Sequence, residues 1–387
     1  MKIVHIAPNA PYNDYWGYQD NLLPKYHKKL GHDVTLIITN TMHKDGKIVE
    51  TECADYTLND GVRVIRLQKK KYFHPLITNI NSRLPVFDYL KEIRPDFVFF
   101  HGLISTSILD VITYKRKINP ECKIVQDNHS DYYNDLKKPV VYSVLLRAFR
   151  RCLSKISLPY VSKVYGVTPW RKAYAEDYFR ISPKKTDVLI MGADDEKIDF
   201  DNKKLIRESI RKKYSISDND FLVVTGGKID RSKKIDVLME AVGCITGAKL
   251  IVFGNVSDDV KDDFEKLLSV HKNIIYIGWI PSDAVYDYFL SADLICFPGT
   301  HSVLWEQACA SKVPCLFSKW DGMDHVNNGG NSDFISDVTV ESLTDKIEKL
   351  LFTEKYFIMQ SIAESEKTDI YLYSRIAEKS LESAQLK

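Results

Sequence analysis

The chain has 387 residues, 27% of them charged and 44% hydrophobic, with a formal net charge of +2. That length predicts two domains in place of a single core. The near-neutral balance argues against nucleic acid as a partner, which asks for a marked basic excess, and no apolar run approaches the length of a membrane span.

Residues 1–8 (MKIVHIAP) carry one lysine, a very short apolar run and no small-residue cleavage site. They read as a first strand over 2–6 and not as a signal peptide. A helix over 19–30 ends at Gly31, and a strand over 33–39 follows. The turn Asn59-Asp60-Gly61 precedes a strand over 62–67. Residues 86–92 read as helix, Pro95 opens a turn, and 97–100 is a buried strand. A strand over 123–126 ends at Asp127-Asn128-His129, and strands at 163–167 and 187–190 complete the series. Continuous apolar strands separated by helices predict a parallel sheet covered on both faces.

A polar, charged stretch over 199–220 precedes a second series, with the hinge placed at 191–199. Its first strand, 221–225, runs into a Gly226-Gly227 turn and a helix near 235–241. A strand over 249–253 closes at Gly254, and one over 274–277 leads into Gly278-Trp279-Ile280-Pro281. A helix over 284–290 and a strand over 294–297 follow, and the last helix covers about 370–384. The seven cysteines are scattered and form no CxxC pair, which predicts reduced thiols in a cytosolic setting.

The most informative stretch is 300–314, T-H-S-V-L-W-E-Q-A-C-A-S-K-V-P. It lies between the strand at 294–297, closed by Pro298-Gly299, and a second apolar run at 313–317. Strand, tight turn, helix and strand make a βαβ unit. The helix start then sits at the carboxyl edge of a parallel sheet, where Ser302 and Val303 can offer amide N–H groups to a phosphate. Glu306 lies about one turn inside, too far in to cap and too polar for the core, but suited to ribose hydroxyls. These features together predict a nucleotide-sugar site.

With these segments in view, the chain resembles glycosyltransferase family 4 over nearly its whole length. Lys29-Leu30-Gly31-His32-Asp33-Val34-Thr35 is similar to the family's L-x-x-x-G-H-x-V, and Arg94-Pro95-Asp96 to its K-P-D-V-V. Met191-Gly192-Ala193-Asp194 is similar to N-G-V-D. Gly227-Lys228-Ile229-Asp230-Arg231-Ser232-Lys233-Lys234 resembles G-R-L-x-x-x-K-G. Gly278-Trp279-Ile280-Pro281 matches a segment near the base site, and Trp305-Glu306-Gln307-Ala308 resembles the L-E-A-M-A helix.

The resemblance implies a retaining enzyme of the GT-B fold: α/β, two Rossmann-like domains whose parallel sheets face across a cleft, with the C-terminal helix returning to the N-terminal domain. An acceptor-binding domain would cover 1–195 plus about 366–387, and a nucleotide-sugar-binding domain 196–365. The donor would be a UDP- or GDP-linked sugar, with no metal and no other cofactor. The acceptor would be a glycan or lipid-linked glycan, as in bacterial cell-surface polysaccharide synthesis. The setting would be cytoplasmic, with a peripheral contact at the inner face of the membrane.

Roles follow residue by residue. Lys228 and Lys233, in the glycine turn, neutralise the diphosphate in binding and departure. Lysine at 228, where the family usually has arginine, acts as a point charge without bidentate geometry. Glu306 holds the ribose, and Gly227, Trp279, Ile280, His301, Ser302 and Val303 complete the donor site. Pro298 stands where the family's E-x7-E motif has its first glutamate, so His301 or Ser302 is left to fill the gap near the sugar. His129 follows a strand end, where the family places a histidine close to the reaction centre. Asp127 is the nearest carboxylate for a double displacement. Gly17 allows close backbone approach in the first loop, with Trp16, Tyr18 and Asp20 as acceptor-binding candidates. Two basic segments, Lys69-Lys70-Lys71-Tyr72-Phe73 and Arg147, Arg150, Arg151 and Lys155, are candidates for an anionic bilayer or a lipid diphosphate. The competing readings are a nucleotide-sugar epimerase of the same fold and a binding protein with a degenerate donor site. A dehydrogenase is disfavoured, because no G-x-G-x-x-G follows the first strand.

Overall fold

A computed structural model describes residues 1–71, 82–132 and 140–382. The chain divides into two compact units, Met1–Ile190 with Ile376–Lys387, and Met191–Arg375.

The first unit contains β1 (Lys2–Ala7), α1 (Gln19–Lys29), β2 (Asp33–Thr39), β3 (Thr41–Lys44), β4 (Lys47–Glu50), β5 (Ala54–Thr57), β6 (Arg63–Leu67), β7 (Lys70–Lys71) and β8 (Ser82–Arg83). It continues with α2 (Phe87–Ile93), β9 (Phe97–Phe100), α3 (Ile108–Lys117), β10 (Lys123–Asn128), α4 (Val140–Ser157), β11 (Lys163–Gly166), α5 (Pro169–Phe179) and β12 (Thr186–Val188). Eight strands form one sheet in the order β12-β11-β10-β9-β1-β2-β6-β5. All neighbours are parallel except β5, which runs antiparallel to β6 at the edge. Side chains alternate along β1: Val4 and Ile6 enter a core with Val98, Phe100 and Ile124, so His5 lies on the other face.

The second unit contains α6 (Lys203–Lys213), β13 (Phe221–Ile229), α7 (Ile235–Gly243), β14 (Ala248–Val256), α8 (Lys261–Val270), β15 (Ile274–Tyr276), α9 (Val285–Ser291) and β16 (Leu294–Phe297). It ends with α10 (Leu304–Ala310), β17 (Cys315–Ser318), β18 (Ser332–Ile335), α11 (Val340–Glu348), α12 (Glu354–Ala363) and the start of α13 (Tyr373–Ser380). Its sheet order is β15-β14-β13-β16-β17-β18, with every pair parallel. The unit's two chain ends lie together. Ala193 N–H donates to Tyr371 O at 2.9 Å, and Tyr373 N–H donates to Ala193 O at 3.0 Å. From Ile376 onward, α13 belongs to the first unit.

Several local expectations change. Helix α6 occupies part of the stretch read as merely polar. Ionic anchors outweigh apolar burial there: Arg207 and Arg211 donate to the Asp293 carboxylate at 2.6 and 3.3 Å, while Leu205 is exposed. Asp293 also accepts from Leu222 N–H at 2.7 Å, so the buried acid is fully paired. The last helix starts later than expected, at Tyr373 after a 3-10 turn over Glu366–Tyr371, and its expected end at residue 384 lies outside the described residues.

Candidate functional site

Strand β13 runs for nine residues, through Gly226, Gly227 and Lys228 to Ile229. Lys228 is therefore a strand residue and not part of a glycine turn. The cause is pairing along the full length of β14, which sets Gly227 opposite Gly254. Gly254 has φ +124°, and a Cβ there would lie 1.7 Å from Gly227 O. Only glycine permits that approach.

Beyond β13, Asp230 accepts from Ser232 N–H at 3.0 Å and from Ser232 Oγ at 2.6 Å, capping a 3-10 turn over Arg231–Lys233. Lys228 Nζ lies 3.0 Å from Asp230 Oδ2 on a side chain 70% exposed. Lys233 is half-buried and crosses to the next loop, where Nζ donates to Thr300 O at 2.7 Å and reaches His301 O at 3.4 Å. Burial holds its pKa below the usual lysine value. Thr300 N–H donates back to Ser232 O at 3.0 Å. A cavity of about 230 Å³ opens here, lined among others by Gly227, Lys228, Lys233, Thr300, Ser302 and Leu304. Four predicted donor residues thus share one cavity at the carboxyl ends of β13 and β16. Val303 caps α10 and does not line the cavity.

Glu306 departs from expectation. It is fully buried, because two imidazoles replace its water. Oε1 accepts from His301 Nε2 at 2.8 Å and from His325 Nε2 at 2.7 Å. Burial would raise its pKa, but the two histidines outweigh that and hold it at about 2. Oε2 is buried with no hydrogen-bond partner among the described residues, as is His325 Nδ1. The three side chains are also the one group of potential metal ligands found among the described residues, with ligand atoms within 4.8 Å of one another. Their N–O spacings are those of charge-assisted hydrogen bonds.

His325 escaped sequence reading. It sits on a 3-10 turn over Asp324–Val326, held by Tyr371 Oη donating to His325 O at 2.7 Å. No local motif marks it, since its contact with α10 is purely tertiary. Trp279 is 65% exposed and Ile280 partly buried. Gly278 O accepts from Gly254 N–H at 2.7 Å, which places that segment beside the end of β14 and outside the cavity lining.

In the first unit, Gly17 is exposed, and an added Cβ would meet nothing within 4 Å, so the fold itself does not require glycine there. Trp16 stacks on His43 with ring centroids 5.4 Å apart and lies 5.5 Å from the Tyr18 ring. Asp20 falls in the first turn of α1. Beside it, Gln19 is buried with neither amide atom partnered among the described residues. Its place directly after an aromatic loop was the available signal for a binding residue.

His129 is 43% exposed, and its Nε2 lies 3.4 Å from Asp127 Oδ2. Asp127 is fully buried, with Oδ1 accepting from Gly102 N–H at 2.7 Å and Oδ2 from His101 Nδ1 at 2.8 Å. Each oxygen thus accepts a hydrogen bond within the unit, which disfavours Asp127 as a nucleophile. The helical basic segment is partly engaged within the unit, while Arg147 and Lys155 are exposed. Arg150 is buried and donates to Tyr178 Oη at 3.3 Å, Arg151 donates to Tyr178 O at 2.7 Å, and Arg147 lies over the Tyr178 ring. Of the other segment, Lys70 and Lys71 form β7, while Tyr72 and Phe73 lie outside the described residues. No helix among the described residues is long and apolar enough to cross a membrane.

Known proteins resemble the chain in sequence and in fold. The chain is 23% identical to a processive diacylglycerol alpha-glucosyltransferase of Acholeplasma laidlawii, over 52% of this chain and 67% of that one. It is 22% identical to an uncharacterized glycosyltransferase of Methanocaldococcus jannaschii, over 50% of this chain and 48% of the other, so it spans about half that relative's length. Among solved structures, a glycosyltransferase from Rickettsia africae superposes with TM-score 0.68 at 15% identity, covering 99% of this chain and 97% of that one. HepE of Anabaena, solved in complex with UDP, superposes with TM-score 0.65 at 15% identity over the whole of both chains. The fold is GT-B, with a parallel sheet in each of two Rossmann-like units. Residues 206–363, which hold Lys233 and Glu306, match the glycosyl transferases group 1 family.

Proposed function

We propose that the chain is a retaining glycosyltransferase that moves a sugar from a nucleotide-diphosphate donor to a glycan or lipid-linked glycan. The observation that carries this is Glu306 Oε2. A buried, ionised carboxylate with one oxygen unclaimed is costly unless a ligand takes it, and a ribose diol supplies two donors. Lys228 and Lys233 stabilise the departing diphosphate. His301 is engaged with Glu306, so Ser302, which lines the cavity, is the group assigned to the donor sugar where the family's first glutamate is absent. With both Asp127 oxygens occupied, same-face displacement is favoured: the leaving phosphate accepts the acceptor's proton, and the protein positions and neutralises.

HepE's complex with UDP supports a uridine donor, and the diacylglycerol in the Acholeplasma enzyme's name supports a lipid-linked acceptor met at a membrane surface. The test is incubation with labelled UDP- and GDP-sugars. Nucleotide release that rises on adding a lipid-linked or glycan acceptor supports the reading. Altered sugar without acceptor indicates an epimerase, and binding without turnover a degenerate site.

A further inference from the structure

Four hydrogen bonds in series cross the interior of the first unit. Ser380 Oγ on α13 lies 2.7 Å from His27 Nε2 on α1. His27 Nδ1 lies 2.9 Å from His5 Nε2 on β1, and His5 Nδ1 lies 3.2 Å from His101 Nε2, just past β9. His101 Nδ1 lies 2.8 Å from Asp127 Oδ2 at the end of β10. His5, His27, Asp127 and Ser380 are wholly buried, and His101 is 7% exposed. Both ring nitrogens of all three histidines are engaged, so the direction of every bond is fixed by the number of protons present.

That number can be counted. A neutral imidazole carries one N–H, and a carboxylate only accepts, so His101 Nδ1 donates to Asp127. With three neutral rings, His101 Nε2 is bare, and His5 and then His27 must each donate from Nδ1. His27 Nε2 is then bare as well, and the Ser380 hydroxyl must donate to it. Yet Ser380 Oγ is also 2.8 Å from Ala377 O, and His27 Nε2 is 3.3 Å from that same carbonyl. One hydroxyl proton cannot serve both acceptors, and two lone pairs would face each other. With one proton more, His101 still donates to Asp127 and the other three bonds reverse without conflict. His101 donates from both nitrogens, His5 and His27 donate from Nε2, His27 serves Ser380 Oγ and Ala377 O, and the Ser380 hydroxyl serves Ala377 O.

We propose that His5, His27 and His101 form a one-proton relay of positioning residues: the extra proton, balanced by the Asp127 carboxylate, ties the seat of α13 to Asp127 at the end of β10. The relay does not depend on the glycosyltransferase reading. Burial disfavours charge on both His101 and His27; against it, Asp127 and Asp20 favour the charged form of His101, while His32 and His101 further disfavour charge on His27. The uncharged Phe99 stacks on His5, with Tyr165 stacked on Phe99.

The test is nitrogen NMR of the full chain with 15N-labelled imidazoles, assigned by single His→Gln variants. At neutral pH, one buried ring should show two protonated nitrogens and two should be Nε2–H tautomers. Three neutral buried rings, or Nδ1–H tautomers at His5 and His27, overturn the relay, whatever the enzyme's activity. A merely structural role for the three rings would lower Tm in the variants without requiring this tautomer pattern. Should a variant not fold, the count of protonated ring nitrogens in the unmodified chain still decides.

Discussion

His325 Nε2 reaches Glu306 Oε1 at 2.7 Å, the same oxygen that His301 occupies at 2.8 Å. Both donors crowd one side of the carboxylate and leave the other side to a ligand. Glu306→Ala should weaken binding of the donor nucleotide about 100-fold, and His325→Asn about tenfold, in line with the loss of a charge-assisted and a supporting hydrogen bond. Calorimetric titration of UDP and GDP checks both. An unchanged Kd in Glu306→Ala removes that residue from the nucleotide site.

Lys233 both carries charge and holds the loop before α10 through Thr300 O. Lys233→Ala should lower kcat by about 10²–10³, the usual scale for losing a group that stabilises developing charge. It should also loosen the loop, read as faster amide exchange at Thr300 and His301. Normal steady-state kinetics in this variant would exclude a role in departure of the diphosphate.

Charge at this site comes from lysine, so turnover should survive prolonged chelation with EDTA or a zinc-selective chelator. Loss of activity on chelation, restored by adding zinc or manganese, would reassign His301, Glu306 and His325 as metal ligands.

Stability should fall early on the acid side. Burial, reinforced by neighbouring histidines, holds His5 well below its ordinary 6.5, and burial holds His27 at about 3. Below pH 6.5 the unfolded chain takes up protons that the folded chain refuses, so stability declines as pH falls, in the case of His27 down to about pH 3, by about 1.4 kcal/mol per pH unit. Glu306, lowered from 4.5 to about 2, contributes fully above pH 4.5 and loses that contribution as pH falls toward 2. For His101, burial works against the charged form but Asp127 outweighs it and raises the pKa. Its contribution is complete below pH 6.5 and is lost as pH rises through the raised value. A Tm profile from pH 4 to 8 should therefore descend from about 6.5, well above the carboxylate range. A flat profile between pH 5 and 6.5 contradicts the burial of neutral His5 and His27.

Strands β2, β9 and β16 occupy the residues read from sequence, because unbroken apolar runs between Gly, Pro and polar turns leave little choice. The β3–β4 hairpin was missed although its Asp45-Gly46 turn, with φ of 51° and 73°, is a known hairpin signal. Helix α3 (Ile108–Lys117) was also missed. Within the site, Gly227, Lys228, Lys233 and Ser302 were legible because a βαβ unit places them locally. His325, and the bonds linking His5, His27 and Ser380, join residues far apart in sequence, and no periodicity encodes them. Glu306 lies on the helix that the sequence predicts, but its burial is not legible there, because its two imidazole partners are joined to it only in the fold.

The pairing of Ala193 with residues 371 and 373 makes the second unit an insertion whose entry and exit are clasped side by side. Such a cassette can be exchanged in one piece. Grafting the corresponding segment of a relative between Ile190 and Ile376 alters loop closure in the host very little. A fragment stopped at Ile190 fares differently, because it lacks Ile376, Ala377, Ser380 and Leu381, all buried. Chimeras of donor preference should thus tolerate substitution of the guest far better than truncation of the host.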